Sequence, residues 1–458
     1  MKIILGVDFM KLNIKDLGAG KKVGLQTEII QEAIDKCFLN GGGEVIIPEG
    51  SYQTGGIRLR SNVTLHLLEG AELVGSRNPD DYFNHFNDAL EPFEPEMLSK
   101  CARVSNQGEL KDYYTYGSRW YNALIRAYKA ENLKIIGEKG SKINGMDCYD
   151  ELGEEAYRGP HAICFIKCKN VYLRGYEVVN SSNWAHSMWY CNNLEVDNIT
   201  VNAGHDGCHF RHCRNIYVHD SYFSTGDDCI AGYNDWNITV ENCELNTACS
   251  AFRLGATNAL IQNCHAYGPP KHLMRYILPL EDKIAGVHDV TKEKKWNYML
   301  SFLTYCSVDL YTKDNPGNEN VILRNCTVEN ADRFLHYNFS GNEPWQSGSP
   351  LLDVNFENIK ATNICYPITF YGDKEKHIEF RMKNTQISMK KGFEDMPLIH
   401  AANFDLIELK NVSVENAKGN VLIKKWTDDN NIYIENVKFS DDYKISELQT
   451  EEFFCKCI

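Results

Sequence analysis

The sequence predicts an all-β fold, a parallel β-helix running as one domain over residues 1–458, and three observations carry this reading. The first is a recurring phrase: an Asn, an alternation of apolar and polar residues, a second Asn or Asp, and another short alternation. Copies begin at Asn170, Asn193, Asn215, Asn237 and Asn258, with starts 23, 22, 22 and 21 residues apart. The second is extent, because an earlier copy begins at Asn132 and later ones at Asn320, Asp353, His377 and Asn431. The third is the content of each copy. Period-2 segments rich in β-branched residues, joined by small turns, form coils that bury their inward residues only on their neighbours. A leucine-rich horseshoe has a similar period but needs an LxxLxL frame and helical backs.

Before the coils, a cap is expected over residues 20–40. Ile29, Ile30, Ala33, Ile34, Cys37 and Phe38 recur at helical spacing, and Gly41-Gly42-Gly43 ends the helix. Such a helix covers the open end of the first coil. The repeated Asn242-Cys243, Asn263-Cys264 and Asn325-Cys326 pairs read as ladders at turns and in the core rather than as metal ligands or disulfides. After Pro269 the rhythm is lost until Asn320. Residues 268–318, with Lys271, His272, Arg275 and the run Lys292 to Lys295, read as an insertion near the cleft.

Composition limits the functional classes. Lys and Arg number 48 against 62 Asp and Glu, a net charge of −14, with 43% hydrophobic and 24% charged residues. That balance belongs to a folded chain, and a pI near 5.5 argues against a nucleic-acid partner. The apolar run Ile3 to Gly6 is shorter than the roughly 7–15 residues of a secretory core. No stretch reaches the roughly 18 apolar residues of a membrane span. The 17 cysteines, an odd number, fit free thiols in a reducing compartment, so a cytoplasmic location is expected. No cofactor is expected.

The chemistry is sought where repeat register places like residues together. Asp206 and Asp227 are 21 residues apart and Asp228 one further, so three carboxylates fall at equivalent turns of adjacent coils, about 4.8 Å apart. Singly, each Asp is an ordinary turn residue. Together they repel, which serves a glycosidase that needs one protonated and one ionised carboxyl group. In SAFRLG, Phe252 and Leu254 should point inward and leave Arg253 on the outer face one coil beyond Asp228. His186, His209 and Arg211 are expected to face the cleft outward, with His205 and Tyr233 as further substrate contacts. Cys208 and Cys213 are expected in the core. A zinc reading of His205, Cys208, His209, His212 and Cys213 lacks a CxxC pair or HExxH helix, and strand alternation splits its members between faces, so no metal site is expected.

Several segments are similar to those of the polygalacturonase family, glycoside hydrolase family 28: NIKDLGAG (13–20), GGGEVIIPEGSYQTGGIRLRSNVTLHLLEGAELVGS (41–76), RGPHAICFIKCKNV (158–171), NSSNWAHSMWYCNN (180–193), HDGCHFRHCRNI (205–216) and above all STGDDCIAGY (224–233). The resemblance implies a right-handed helix and inverting hydrolysis of α-linked galacturonide or rhamnogalacturonide bonds. It makes Asp227 the general acid, with Asp206 and Asp228 holding the attacking water. The family's Asn-Thr-Asp-Gly falls on Gly204-His205-Asp206-Gly207, which keeps only the Asp and Gly. Its Gly-His-Gly falls on Cys249-Ser250-Ala251, without the His. The only Arg-x-Lys, Arg381-Met382-Lys383, lies several coils too far along, and Arg253 is the expected substitute.

The expected substrate is therefore a short pectin-derived oligosaccharide attacked from its end, with the insertion closing one side of the cleft. The rivals are a calcium-dependent polysaccharide lyase on the same scaffold and a non-catalytic sugar-binding β-helix. Carboxylates one coil apart approach the separation of about 5–5.5 Å assigned to retaining enzymes. The family implies inversion, and two bases holding one water reconcile it with the crowding.

Overall fold

The computed structural model describes residues 10–21, 23–82, 101–104, 110–114, 121–155, 157–274, 277, 281, 298–308, 318–341, 343, 345–429, 431–440 and 442–447. All but three of the named strands, from Met10–Asn13 to Lys444–Glu447, join one continuous sheet of parallel pairs. Each coil contributes short strands that pair with their equivalents one coil on. Val171 lies beside Leu194, Leu194 beside Ile216, and Ile216 beside Ile238 on one face. Val178, Val201, Phe223 and Leu245 do the same on a second. Met188, Phe210, Gly232 and Leu254 form the inward row of a third. These inward residues fill one buried core along the helix.

The turns are fixed by asparagine. Asn62, Asn132, Asn170, Asn193, Asn215, Asn237, Asn258 and Asn320 all adopt φ between 54° and 61°, the left-handed region in which Asn is tolerated. From Asn132 onward each side-chain amide donates to the side-chain carbonyl oxygen of the Asn one coil earlier, at 2.8 to 3.1 Å. Asn215→Ala is therefore expected to cost about 2 kcal/mol, from left-handed strain plus lost ladder bonds. Asn215→Gly, which removes the strain, should cost less in chemical unfolding. The cysteines that follow left-handed turn residues, Cys168, Cys191 and Cys213 after Lys167, Tyr190 and His212, and Cys243, Cys264 and Cys326 after Asn, are buried free thiols.

The N-terminal helix spans Thr27–Leu39. Its buried face, Ile30, Ala33, Ile34 and Cys37, packs on the strands Gly43–Ile47 and Ile57–Arg58 and closes the first coil. Gly41 and Gly42, with φ of 89° and 137°, turn the chain out of the helix into the first of these strands. Among the described residues no helix is long and apolar enough to cross a membrane.

The strand Ser250–Gln262 pairs directly with Met299–Tyr305, so these strands lie in adjacent coils, and the chain leaves the sheet after the short strand His265–Tyr267. The departing arm is anchored by Asn246, whose amide donates to the Pro269 carbonyl at 2.9 Å and accepts the Lys271 N–H at 2.9 Å. The Leu273 carbonyl reaches Gly226, where a side chain would collide with it. Arg275 and the run Lys292 to Lys295 lie outside the described residues.

Candidate active site

Asp206 lies in the turn between strands Thr200–Ala203 and Cys208–Arg211, and Asp227 and Asp228 in the equivalent turn between Tyr222–Thr225 and Ile230–Glu241. The two turns are tied by the Gly207 N–H, which donates to the Asp228 carbonyl at 2.9 Å. Gly207 is required here, because a Cβ would press on the Phe223 ring and the Cys229 carbonyl. All three carboxylates are 2% exposed.

Their partners differ. Asp206 Oδ2 is 2.6 Å from His209 Nδ1. Asp228 Oδ1 accepts the Ser250 N–H at 3.0 Å, and its Oδ2 is 3.7 Å from Arg253 Nη1. Asp227 Oδ2 is 3.9 Å from Nη2 of Arg158, a buried guanidinium also shared by Glu154 and Glu155 at 3.3 Å each. Burial, and next the charges of Asp227 and Asp228, push the Asp206 carboxyl well above its usual range, against Arg253 and Arg158. Burial followed by the Asp227 charge raises Asp228 as well.

The sign of the linkage follows. A carboxyl raised in the fold contributes stability that is full below its unfolded value, about 3.9, and is lost as pH climbs through the raised value. Asp228→Asn retains an acceptor for Ser250 and removes one of the repelling charges. Its melting temperature should fall less steeply than that of the wild type from about pH 4 upward. Parallel slopes would contradict this electrostatic account.

Along the third face, Ser187, His209, Ala231, Arg253, Thr304 and His336 occupy one outward row in register. His209 and Arg253 thus stand on the outer face, and the Arg253 guanidinium lies 5.0 Å over the Trp345 ring. His186 does not join them. It is in register with Cys208 and Ile230 and points inward, with Nδ1 2.9 Å from the Gly207 carbonyl and Nε2 3.0 Å from the Tyr176 hydroxyl. Burial pushes its imidazole down to about 4, so it is a neutral donor supporting the Asp206-Gly207 turn. The expectation of an outward His186 is corrected by parity, since it shares its face with the core residue Met188.

Arg211 and Tyr233 are outward, as their alternation expects, but covered. Arg211 is outward but 2% exposed, enclosed by Trp184, Trp189 and Tyr233 with its guanidinium 4.9, 4.3 and 4.9 Å from their ring centres. Tyr233 is 5% exposed and meets His209 edge-on. His205 is buried with its ring 6.3 Å from that of Tyr157. All three are as enclosed by neighbouring side chains as the carboxylates are, or nearly so. Cys208 and Cys213 lie in the main core, away from outward His209, so the supposed zinc ligands are divided between faces. Arg381 stands on a different face from Arg253, paired with Glu379 and with Glu408 at 3.7 Å. Cys249 has its donor atom within 4.8 Å of those of Asp227 and Asp228. Arg158, Trp184 and Trp345 were not singled out from sequence. Arg158 did lie in a quoted segment, whereas Trp345 carries no register signal.

Comparison with known proteins agrees with this geometry. Residues 97–249, which contain all three carboxylates, match the model for glycosyl hydrolases family 28. The chain is 28% identical over 257 residues to the exo-poly-alpha-D-galacturonosidase of Dickeya chrysanthemi, covering 48% of this chain and 41% of that protein, well short of its full length. The exopolygalacturonase of Thermotoga maritima superposes with a TM-score of 0.60 at 17% identity, over 90% of this chain and 91% of that one. PfbA, a surface adhesin of Streptococcus pneumoniae, superposes with a TM-score of 0.55 at 15% identity, over 92% and 93%. At such identities these two speak for the fold alone, the right-handed parallel β-helix. The chain is thus similar to glycosyl hydrolases family 28 over residues 97–249, about a third of its length.

Proposed function

We propose that the protein is a glycoside hydrolase that removes sugars from the end of α-linked galacturonide or rhamnogalacturonide oligosaccharides, with inversion. The observation that carries this is the convergence of three buried carboxylates from two adjacent coils, faced by Arg158 and Arg253. Asp206 and Asp228 each have a hydrogen-bonding group on a carboxylate oxygen, which works against the burial and mutual repulsion that raise both carboxyls. Asp227 gives its proton to the glycosidic oxygen as the anomeric C–O bond breaks. Water forms the new C–O bond and gives its proton to the Asp206 and Asp228 pair.

End-wise action is supported by a burial gradient along the outward row. Arg126, Cys164, Ser187, His209 and Ala231 are at most 1% exposed, whereas the side chains of Arg253 and His336 are 17% and 12% exposed. Tyr121, Tyr128, Trp184 and Trp189 form a separate apolar cluster over the closed side. A cleft closed before the carboxylates and open after them accepts a chain end, and a guanidinium where it opens suits an anionic sugar. The name of the Dickeya relative is consistent with both points. The buried free thiols support a cytoplasmic location, which cell fractionation would test.

On defined α-linked oligogalacturonides the first products should be short and of one size, and proton NMR should detect the β-anomer before mutarotation. Initial α-anomer would refute inversion, and a random ladder of sizes would refute end-wise attack. The lyase reading draws on the Asp227, Asp228 and Cys249 cluster. A thiolate is a soft donor ill-suited to calcium, so turnover should survive EDTA and yield no unsaturated sugar.

A further inference from the structure

Behind the carboxylates three polar side chains meet in a line. Arg211 Nε donates to His209 Nε2 at 3.2 Å, and His209 Nδ1 is 2.6 Å from Asp206 Oδ2. A guanidinium has no acceptor atom, so Nε2 receives this bond and carries no proton. A neutral imidazole then keeps its single proton on Nδ1, the nitrogen facing Asp206. We infer that Arg211 and His209 are positioning residues, a buried relay that fixes the imidazole tautomer and through it orients Asp206, rather than contacts to the sugar. The catalytic half of this inference rests on the hydrolase reading above.

The surroundings are built to prevent rotation. Trp184 stacks on the His209 ring with centroids 3.7 Å apart and planes 9° from parallel. The same Trp184, with Trp189 and Tyr233, encloses the Arg211 guanidinium, so one indole holds both members of the relay. Buried Asp235, whose Oδ1 accepts the Cys213 N–H at 2.8 Å, feels the Arg211 charge from the following coil. Both ring nitrogens of His209 are engaged, one by Asp206 and the other by Arg211, which leaves neither for a substrate contact. With Oδ2 committed to the Nδ1–H, Oδ1 of Asp206 is the oxygen that takes the proton from water. His209 remains neutral throughout, and the proton lost by Asp227 leaves with the departing sugar.

The test begins with wild-type protein carrying ¹⁵N-labelled histidine. Two-bond proton–nitrogen correlations at neutral pH should show His209, identified by the signal lost in His209→Gln, as a neutral ring protonated on Nδ1. A ring protonated on Nε2, or on both nitrogens, would overturn the relay. This measurement needs no substrate and stays decisive if the hydrolase reading fails, which complete inactivity of the wild type on every α-linked uronide would indicate. The second arm is kinetic. In Arg211→Met and the more conservative Arg211→Lys, kcat should fall about 10- to 100-fold with KM nearly unchanged, because a misplaced base slows chemistry without removing a binding contact. A raised KM with unchanged kcat would make Arg211 a substrate contact and overturn the inference. If Arg211→Met fails to fold, Arg211→Lys and His209→Gln carry the kinetic comparison.

Discussion

Asp227→Asn should lower turnover on an unactivated oligosaccharide by about 10² to 10⁴-fold, the usual range for loss of a general acid. The same variant should melt at or above the wild-type temperature. It removes one of three carboxylates held in a buried cluster, where active sites keep like charges at the expense of stability. Substrate chemistry gives a further diagnostic. An aryl glycoside with a weakly basic leaving group needs little protonation, so its hydrolysis should suffer far less. Retention of more than half the wild-type rate on the unactivated substrate would remove Asp227 from this role.

Arg253→Ala should reduce kcat/KM on an acidic oligosaccharide about 10- to 100-fold, corresponding to the roughly 1.5–3 kcal/mol of a charged hydrogen bond. The loss should be small on a neutral analogue of the same sugar, because only the carboxylate requires the guanidinium. Arg253→Lys should recover part of the activity, since a point charge cannot reproduce the planar fork or its contact with Trp345. Equal losses on acidic and neutral substrates would show that Arg253 acts only by neutralising Asp228, 3.7 Å away.

How much of this was legible in the sequence depends on what each part obeys. The coils were legible because a solenoid is locally periodic: the Asn ladder, the inward Val171 to Ile238 row and the one-coil offset of Asp206 from Asp227 and Asp228 all repeat at nearly one period. The outward place of Arg253 followed from the same alternation. His186 was misplaced although the rule that places it was available, since Met188 two residues on is plainly a core residue. Arg158 and Trp345 obey no period. They reach the site from segments that leave the coils, and their meeting with Asp227 and Arg253 depends on tertiary packing. The burial of Arg211 was likewise hidden, because an Arg on the outside of a strand is ordinarily solvated, and only the convergence of Trp184, Trp189 and Tyr233 covers it.

The one-sided burial of the outward row also governs the order of departure. A sugar cleaved at the closed side, where His209 and Ala231 are sealed, has the remainder of the chain between itself and bulk solvent. Under the end-wise reading proposed above it would leave only after that remainder lets go, so successive cleavages along one chain without release are not expected. Rates per chain end should then be nearly independent of polymer length. The free monosaccharide, able to re-enter the vacated dead end, should act as a competitive inhibitor of its own formation.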